Sequence, residues 1–263
     1  MKRNGYPLWA SLGLVIALGI SATQAFATPP VNSAMIRTRI FNDCPSSIVT
    51  TVNTYPTQII IDDAQLDCFG FANLHDWRLS TDGVNPALFY NWDNFNICAT
   101  LLLTGTGNGE AGLQVCPWWD PWVEGRLNVK TTGEIACFGG RLPFYTFTGN
   151  YGINYTKGNP ITLEIDYRAN GLSQASPATI EYKVNYLSIP YTSGPLPFDQ
   201  GNPSEDPPHG QWGILNPAYV GGHFQPLSKG GDPTNQLRAQ WTFCDPALPA
   251  QPTSWGKVKD TYR

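Results

Sequence analysis

Apolar and polar residues alternate one by one in Ile161-Thr-Leu-Glu-Ile-Asp-Tyr-Arg168, so that Ile161, Leu163, Ile165 and Tyr167 share one side and Thr162, Glu164, Asp166 and Arg168 the other. A period of two marks a strand with one buried face. The alternation returns in Thr179-Ile-Glu-Tyr-Lys-Val-Asn-Tyr186, after the turn-forming segment 169–178 with its Asn170-Gly171 and Pro177. The two runs predict an antiparallel hairpin. Further strands are predicted at 35–41, 57–62, 88–92, 97–104, 113–116, 126–131, 134–138, 145–148 and 237–243. About eleven short strands with turns between them imply an all-β fold, an antiparallel two-sheet β-sandwich or a barrel.

The pattern fades over 194–233, where Pro195, Pro197, Pro203, Pro207, Pro208, Pro217 and Pro226 accumulate. A connection this long is expected to pack as ordered loops, because Trp212, Ile214, Leu215, Val220 and Phe224 give it apolar side chains to bury. Lys2 and Arg3 precede a largely apolar stretch at 8–20, and Ala25-Phe26-Ala27 follows it, so residues 1–27 read as a secretory signal. The expected organisation is a signal at 1–27, one β-sandwich domain at 28–245 and a tail at 246–263, Pro-rich and then basic, with a helical turn started by Ser254.

The chain of 263 residues has 16 basic and 20 acidic residues and a net charge of −4. Loss of Lys2 and Arg3 with the signal would leave 14 minus 20, or −6. An acidic balance with no Lys/Arg cluster argues against nucleic acid or an anionic membrane as partner. The apolar stretch at 8–20 is too short to span a bilayer, so no membrane insertion is expected.

Cys44, Cys68, Cys98, Cys116, Cys137 and Cys244 make an even set, which in an exported chain points to disulfides. Cys98 and Cys116 lie symmetrically about Gly107 in Thr104-Gly-Thr-Gly-Asn-Gly109, so a hairpin centred there would bring them together.

The hairpin at 161–186, the strands before it at 126–147, and the segment Gly152-Ile-Asn-Tyr-Thr-Lys-Gly-Asn-Pro160 running into Ile161 resemble the jelly roll of the concanavalin A-like lectin and glucanase superfamily. The resemblance spans roughly residues 35–245 and is one of strand pattern. It implies a secreted carbohydrate-binding or carbohydrate-cleaving β-sandwich. The retaining glucanases of that superfamily carry two glutamates and an aspartate on one strand face, and Glu164-Ile165-Asp166 is similar to the start of their motif. The place of the acid/base carboxylate holds Arg168, followed by Ala169, so glucanase activity does not carry over.

Trp118, Trp119 and Trp122, with Asp120 and Glu124, form the densest aromatic group. Sugars stack on aromatic rings while carboxylates accept their hydroxyl protons, so this is a candidate carbohydrate platform. Tryptophans are also frequent core residues, which is the structural alternative. Glu164, Asp166 and Glu181, with Lys183, are the candidate polar site of a glycoside hydrolase or polysaccharide lyase, with Glu134 as another source of the acid. The plainer reading is a solvated face of cross-strand ion pairs. Calcium ligands could come from Asp62 and Asp63, from Asp93, Asn94 and Asn96, or from Asp199, Asn202, Glu205 and Asp206, although none has EF-hand spacing.

His75, His209 and His223 form no zinc motif, and no nucleophile elbow is present. The leading expectation is a lectin-like carbohydrate-binding protein without cofactor. A jelly-roll hydrolase or lyase and a purely structural surface module are the alternatives.

Overall fold

A computed structural model of the chain describes residues 29–119, 123–139, 142–201 and 210–244, with only the backbone at 116–119, 123 and 124. In chain order the strands are β1 (Ser33–Asn42), β2 (Ile48–Asn53), β3 (Gln58–Ala64), β4 (Asn73–Ser80), β5 (Phe95–Thr104), β6 (Gly109–Trp119), β7 (Val123–Lys130), β8 (Ile135–Phe138) and β9 (Tyr145–Thr146). A short helix, α1 (Phe147–Tyr151), precedes β10 (Ile161–Arg168), β11 (Thr179–Tyr186), β12 (Ile189–Pro197), β13 (Tyr219–Pro226) and β14 (Gln236–Phe243).

They form two antiparallel seven-stranded sheets, the first ordered β1-β4-β13-β6-β7-β8-β9 and the second β12-β11-β10-β5-β14-β3-β2. The chain is thus an antiparallel β-sandwich of jelly-roll type, as its pattern predicts. The 161–186 hairpin forms, with Glu164 opposite Lys183.

Inward residues of both sheets build one core. Ile161, Leu163, Ile165 and Tyr167 of β10 are fully buried, and so are Ala99, Leu101 and Leu103 of β5 and Leu113 and Val115 of β6. Trp77 of β4 meets Trp241 of β14 edge to face, with ring centroids 5.9 Å apart. This pair locks sheet to sheet. At one end a buried polar cluster adds a second link: His75 of β4 bonds Asp63 of β3 at 3.0 Å, and Asn73 donates to the same oxygen at 2.8 Å. The Arg39 N–H donates to His75 Nδ1, so the His75 proton sits on Nε2 and points at Asp63. Burial alone would raise the Asp63 carboxyl, but hydrogen bonds from His75, Ser47 and Asn73 bring it below the ordinary carboxylate range.

Six sequence expectations change. Residues 147 and 148, read as the end of a strand, begin α1, and Cys137, expected in a disulfide, is a buried free thiol. β5 and β6 do not form a hairpin: β5 lies in the second sheet between β10 and β14, and β6 lies in the first between β13 and β7, so residues 105–108 cross from sheet to sheet. The pairing of Cys98 with Cys116 fails for that reason. Cys98 is bonded instead to Cys244, at the end of the adjacent β14, and Cys44 is bonded to Cys68. The segment 194–233, read as loops, contributes the central strand β13, whose Gly221-Gly222 pair and flanking prolines conceal the alternation. Residues 88–92 form no strand; Phe89 makes an isolated bridge to Ala218. Residues 1–27 and the tail 246–263 lie outside the described residues.

The Cys98–Cys244 bond closes a loop with a sequence separation of 146 residues. Chain-entropy arguments assign a crosslink of that length up to about 5 kcal/mol. Replacing both cysteines by serine should lower unfolding stability by about 3–5 kcal/mol in denaturant titrations. Non-reducing peptide mapping should recover the 98–244 and 44–68 crosslinks; a 98–116 crosslink would contradict the topology.

Candidate functional site

Residues on the outer side of the first sheet fall into rows set by its register. One row runs Arg37, Asp76, His223, Gly112 and Asn128 across β1, β4, β13, β6 and β7. The next runs Met35, Arg78, Gly221, Gln114 and Arg126. One glycine leaves a gap in each row, and both are required by close backbone packing: a Cβ at Gly221 would lie 1.9 Å from the Trp77 carbonyl oxygen, and one at Gly112 1.9 Å from that of Leu127.

This face departs from the usual outward-polar pattern because its polar side chains are buried. Asp76, Gln114 and His223 are fully inaccessible, and Arg78, Arg126 and Asn128 nearly so. Buried polar groups must find partners, and most here do. Asp76 accepts from Arg37 Nε at 2.8 Å, from the Arg37 Nη2, from Arg78 Nε at 3.1 Å and from Gln114 Nε2 at 3.3 Å. Arg126 donates to Glu110 at 2.8 Å and to Gln225 at 3.1 Å, and Asn128 donates to the other Glu110 oxygen at 2.9 Å. The Arg78 guanidinium carbon sits 4.5 Å from the centre of the Tyr219 ring.

Two acceptors are left over. The Asn128 amide nitrogen donates to Glu110, so its oxygen accepts from His223 Nε2 at 2.8 Å. That fixes the His223 proton on Nε2 and leaves a lone pair on Nδ1, which has no hydrogen-bond partner among the described residues. The Gln114 amide nitrogen is committed to Asp76, and its Oε1 likewise has no partner among the described residues. Burial and the nearby Arg126 charge hold His223 well below the ordinary histidine range, so the ring is neutral at neutral pH. His223 and Gln114 are diagonal neighbours across β13 and β6, positions whose side chains start about 7–8 Å apart.

The outer face of the second sheet is of the ordinary kind. Glu164 pairs with Lys183 at 2.8 Å and accepts from Asn96 at 2.7 Å. Asp166 and Glu181 each lie 3.9 Å from the same Lys183 Nζ, and Arg168 reaches back to Asp166 at 2.8 Å. Glu164, Glu181 and Lys183 line an open groove of about 500 Å³ with Thr162, Tyr191 and Thr192.

Asp120 and Trp122 lie outside the described residues, as do the side chains of Trp118, Trp119 and Glu124; the backbone pairs Trp119 with Val123 at the tip of the β6–β7 hairpin. The calcium candidates are engaged within the protein where they are described. Asp62 accepts from Gln236, Asp93 from the Tyr90 N–H, Asn94 from the Ala169 N–H and Asp199 from the Gly201 N–H. Asn202, Glu205 and Asp206 lie outside the described residues.

No protein-family model and no curated sequence matches the chain. Among solved structures it is similar to arcelin-5, a lectin-like defense protein from Phaseolus vulgaris, at 9% identity and a TM-score of 0.40, over 81% of this chain and 96% of that one. It is similar to the alginate lyase from Klebsiella pneumoniae at 12% identity and 0.40, over 74% and 82%. Alginate lyase vAL-1 from Chlorella virus matches at 11% identity and 0.39, over 82% and 91%.

The site residues Asp76, Arg78, Gln114 and His223 escape sequence reading because they come from three strands distant along the chain. In β4, Asp76 and Arg78 do alternate with Trp77 and Leu79, but His75 and Asn73 on the core side blur the period.

Two outcomes follow. The depressed His223 value contributes stability that is fully present above the unfolded-state pKa of about 6.5 and is lost as pH falls from there toward the folded value, because only the unfolded chain then takes up the proton. Urea titrations should show this slope below about pH 6.5, and His223→Gln should flatten it; an unchanged slope would show that His223 does not carry it. Glu164→Gln should cost under about 1 kcal/mol, the scale of an exposed ion pair, whereas Asp76→Ala should cost about 3–5 kcal/mol by stranding buried arginine charge.

Proposed function

We propose that the protein is an exported carbohydrate-binding protein whose ligand face is the outer side of the first sheet. The observation that carries this reading is the pair of buried, unpartnered acceptors, His223 Nδ1 and Gln114 Oε1, on one face. An orphaned buried acceptor is costly, and a ligand that brings a donor to it would recover that cost. Both orphans are acceptors, and sugar hydroxyls are donors spaced closely enough to serve two such atoms from one or two residues of a glycan. Arg78 on the Tyr219 ring adds a planar donor surface beside them.

The rim of the face is more open, with the Arg37 side chain 26% exposed and Glu110 16%. Engagement of the central acceptors therefore goes with displacement of rim side chains. The β6–β7 hairpin extends the same sheet past Gln114 and Arg126, and Trp118, Trp119 and Trp122, with Asp120 and Glu124, remain the candidate sugar-stacking residues on sequence grounds alone. The disulfides and the apolar N-terminal stretch support export.

A second reading, polysaccharide lyase, is favoured by His223 itself. A neutral imidazole with an Nδ1 lone pair, near Arg126 and Arg78, can take the proton from the carbon beside a sugar carboxylate whose charge the arginines offset; the freed electron pair then forms the carbon–carbon double bond as the C–O bond to the departing sugar breaks, and that oxygen is protonated by solvent. For the hydrolase alternative through Glu164, Asp166 and Glu181, all three carboxylates share Lys183.

Retention on a panel of neutral and acidic polysaccharides tests the binding reading. The wild type should be retained by at least one, Gln114→Met and His223→Phe should weaken that binding about five- to tenfold for each lost hydrogen bond, and Glu164→Gln should leave it unchanged. Absence of retention throughout, or equal binding by the Gln114 and His223 variants, would overturn it. Ultraviolet detection of an unsaturated product, lost in His223→Phe, would select the lyase.

A further inference from the structure

A sheet edge presents unpaired backbone groups, and proteins that stay apart blunt their edges with charge, proline, bulges or short strands. Three of the four edges here are blunted. β1 carries Arg37 and Arg39, and its register shifts between Arg37 and Phe41, with Arg39 at φ 59°. β9 has two residues and runs straight into α1. β12 holds Pro190, Pro195 and Pro197.

The fourth edge, β2, has none of these devices. Its sequence Ile-Val-Thr-Thr-Val-Asn is uncharged, β-branched in its first five positions and free of proline, and it pairs with β3 without a shift. Ile48 and Val52 are 49% and 42% exposed.

We propose that two copies of this chain associate edge to edge through β2, joining their second sheets into one continuous antiparallel sheet. The register of β2 is self-complementary. The Thr54 N–H donates to the Gln58 carbonyl, and alternation along the strand then turns the backbone groups of Ile48, Thr50 and Val52 toward β3 and those of Val49 and Thr51 outward.

A two-fold axis at Thr50 sets Val49 opposite the second copy's Thr51, and the two exchange backbone hydrogen bonds in both directions, twice. The same axis sets Ile48 against the second copy's Val52, also twice, at the non-hydrogen-bonded positions where side chains approach most closely. Even positions meet even positions, so the outer faces of the two sheets stay on one side. The contact closes on itself and offers no further edge for a third copy. A single six-residue strand buries less than a standard interface, so the association is reversible and concentration-dependent. This inference is independent of the carbohydrate reading.

Sedimentation velocity of the full chain across a concentration series should show a monomer–dimer equilibrium. Val52→Lys, on an exposed position, should raise the dissociation constant at least tenfold, with an unchanged thermal unfolding curve showing that the fold is intact. Thr50→Cys should form a disulfide-linked dimer under mild oxidation, because facing non-hydrogen-bonded positions lie about 4.5 Å apart at Cα. Thr51→Cys, which faces Val49, should not do so above the wild-type background. A strictly monomeric wild type, a dimer indifferent to Val52→Lys, or equal crosslinking of the two cysteine variants would each overturn the proposal.

Discussion

Strand alternation sends every second side chain of both sheets into the space between them, and the rest of the structure depends on filling that space with apolar groups. The Trp77–Trp241 contact spans it, with β4 and β14 held in facing sheets by two of the largest buried side chains. Once those inward positions are committed, the outward positions of the same strands are free to carry chemistry. Asp76 and Arg78 flank Trp77 in sequence and therefore stand on the opposite face. The ligand face proposed for this protein is thus the reverse side of its own core.

The two outer faces show what distinguishes a site from a solvated surface. On the second sheet Glu164, Asp166 and Glu181 are partly exposed and share one lysine, an arrangement of modest energy that water could replace. On the first sheet the polar groups are withdrawn from water and held by one another, which is costly unless every atom is satisfied. Two atoms are not. On the second sheet Asp166 Oδ1 also lacks a hydrogen bond but has the Arg168 guanidinium 2.8 Å away. It is therefore the burial of the first sheet's network, together with its two unpartnered acceptors, that singles that sheet out.

Much of the fold was legible because β5, β10, β11 and β14 alternate cleanly, as strands with one core face must. β4 and β13 were not legible, for physical reasons that belong to the site: His75 and Asn73 put polar groups on the core side of β4, and Gly221-Gly222 removes side chains where β13 packs closest to β4. β2 escaped because an exposed edge strand needs no alternation. The hairpin expected about Gly107 had the right turn residues, but the glycines there serve a crossing between sheets, with Gly107 N–H donating to the Gln236 carbonyl. The aromatic cluster at 118–122 is visible in sequence, and the backbone of Trp118 and Trp119 ends a strand of the sheet that carries the site; the site's own polar residues emerge only when β4, β13 and β6 lie side by side.

The central claim is that His223 waits, neutral, with an unfilled acceptor on the ligand face. Nitrogen-15 NMR of the His223 ring, with and without a retained polysaccharide, tests it most directly. The account predicts a neutral ring protonated on Nε2 down to mildly acidic pH, with an Nδ1 resonance that moves toward a hydrogen-bonded value when the polysaccharide binds. A ring that is protonated on Nδ1, or an Nδ1 resonance unmoved while the polysaccharide is bound, would contradict it.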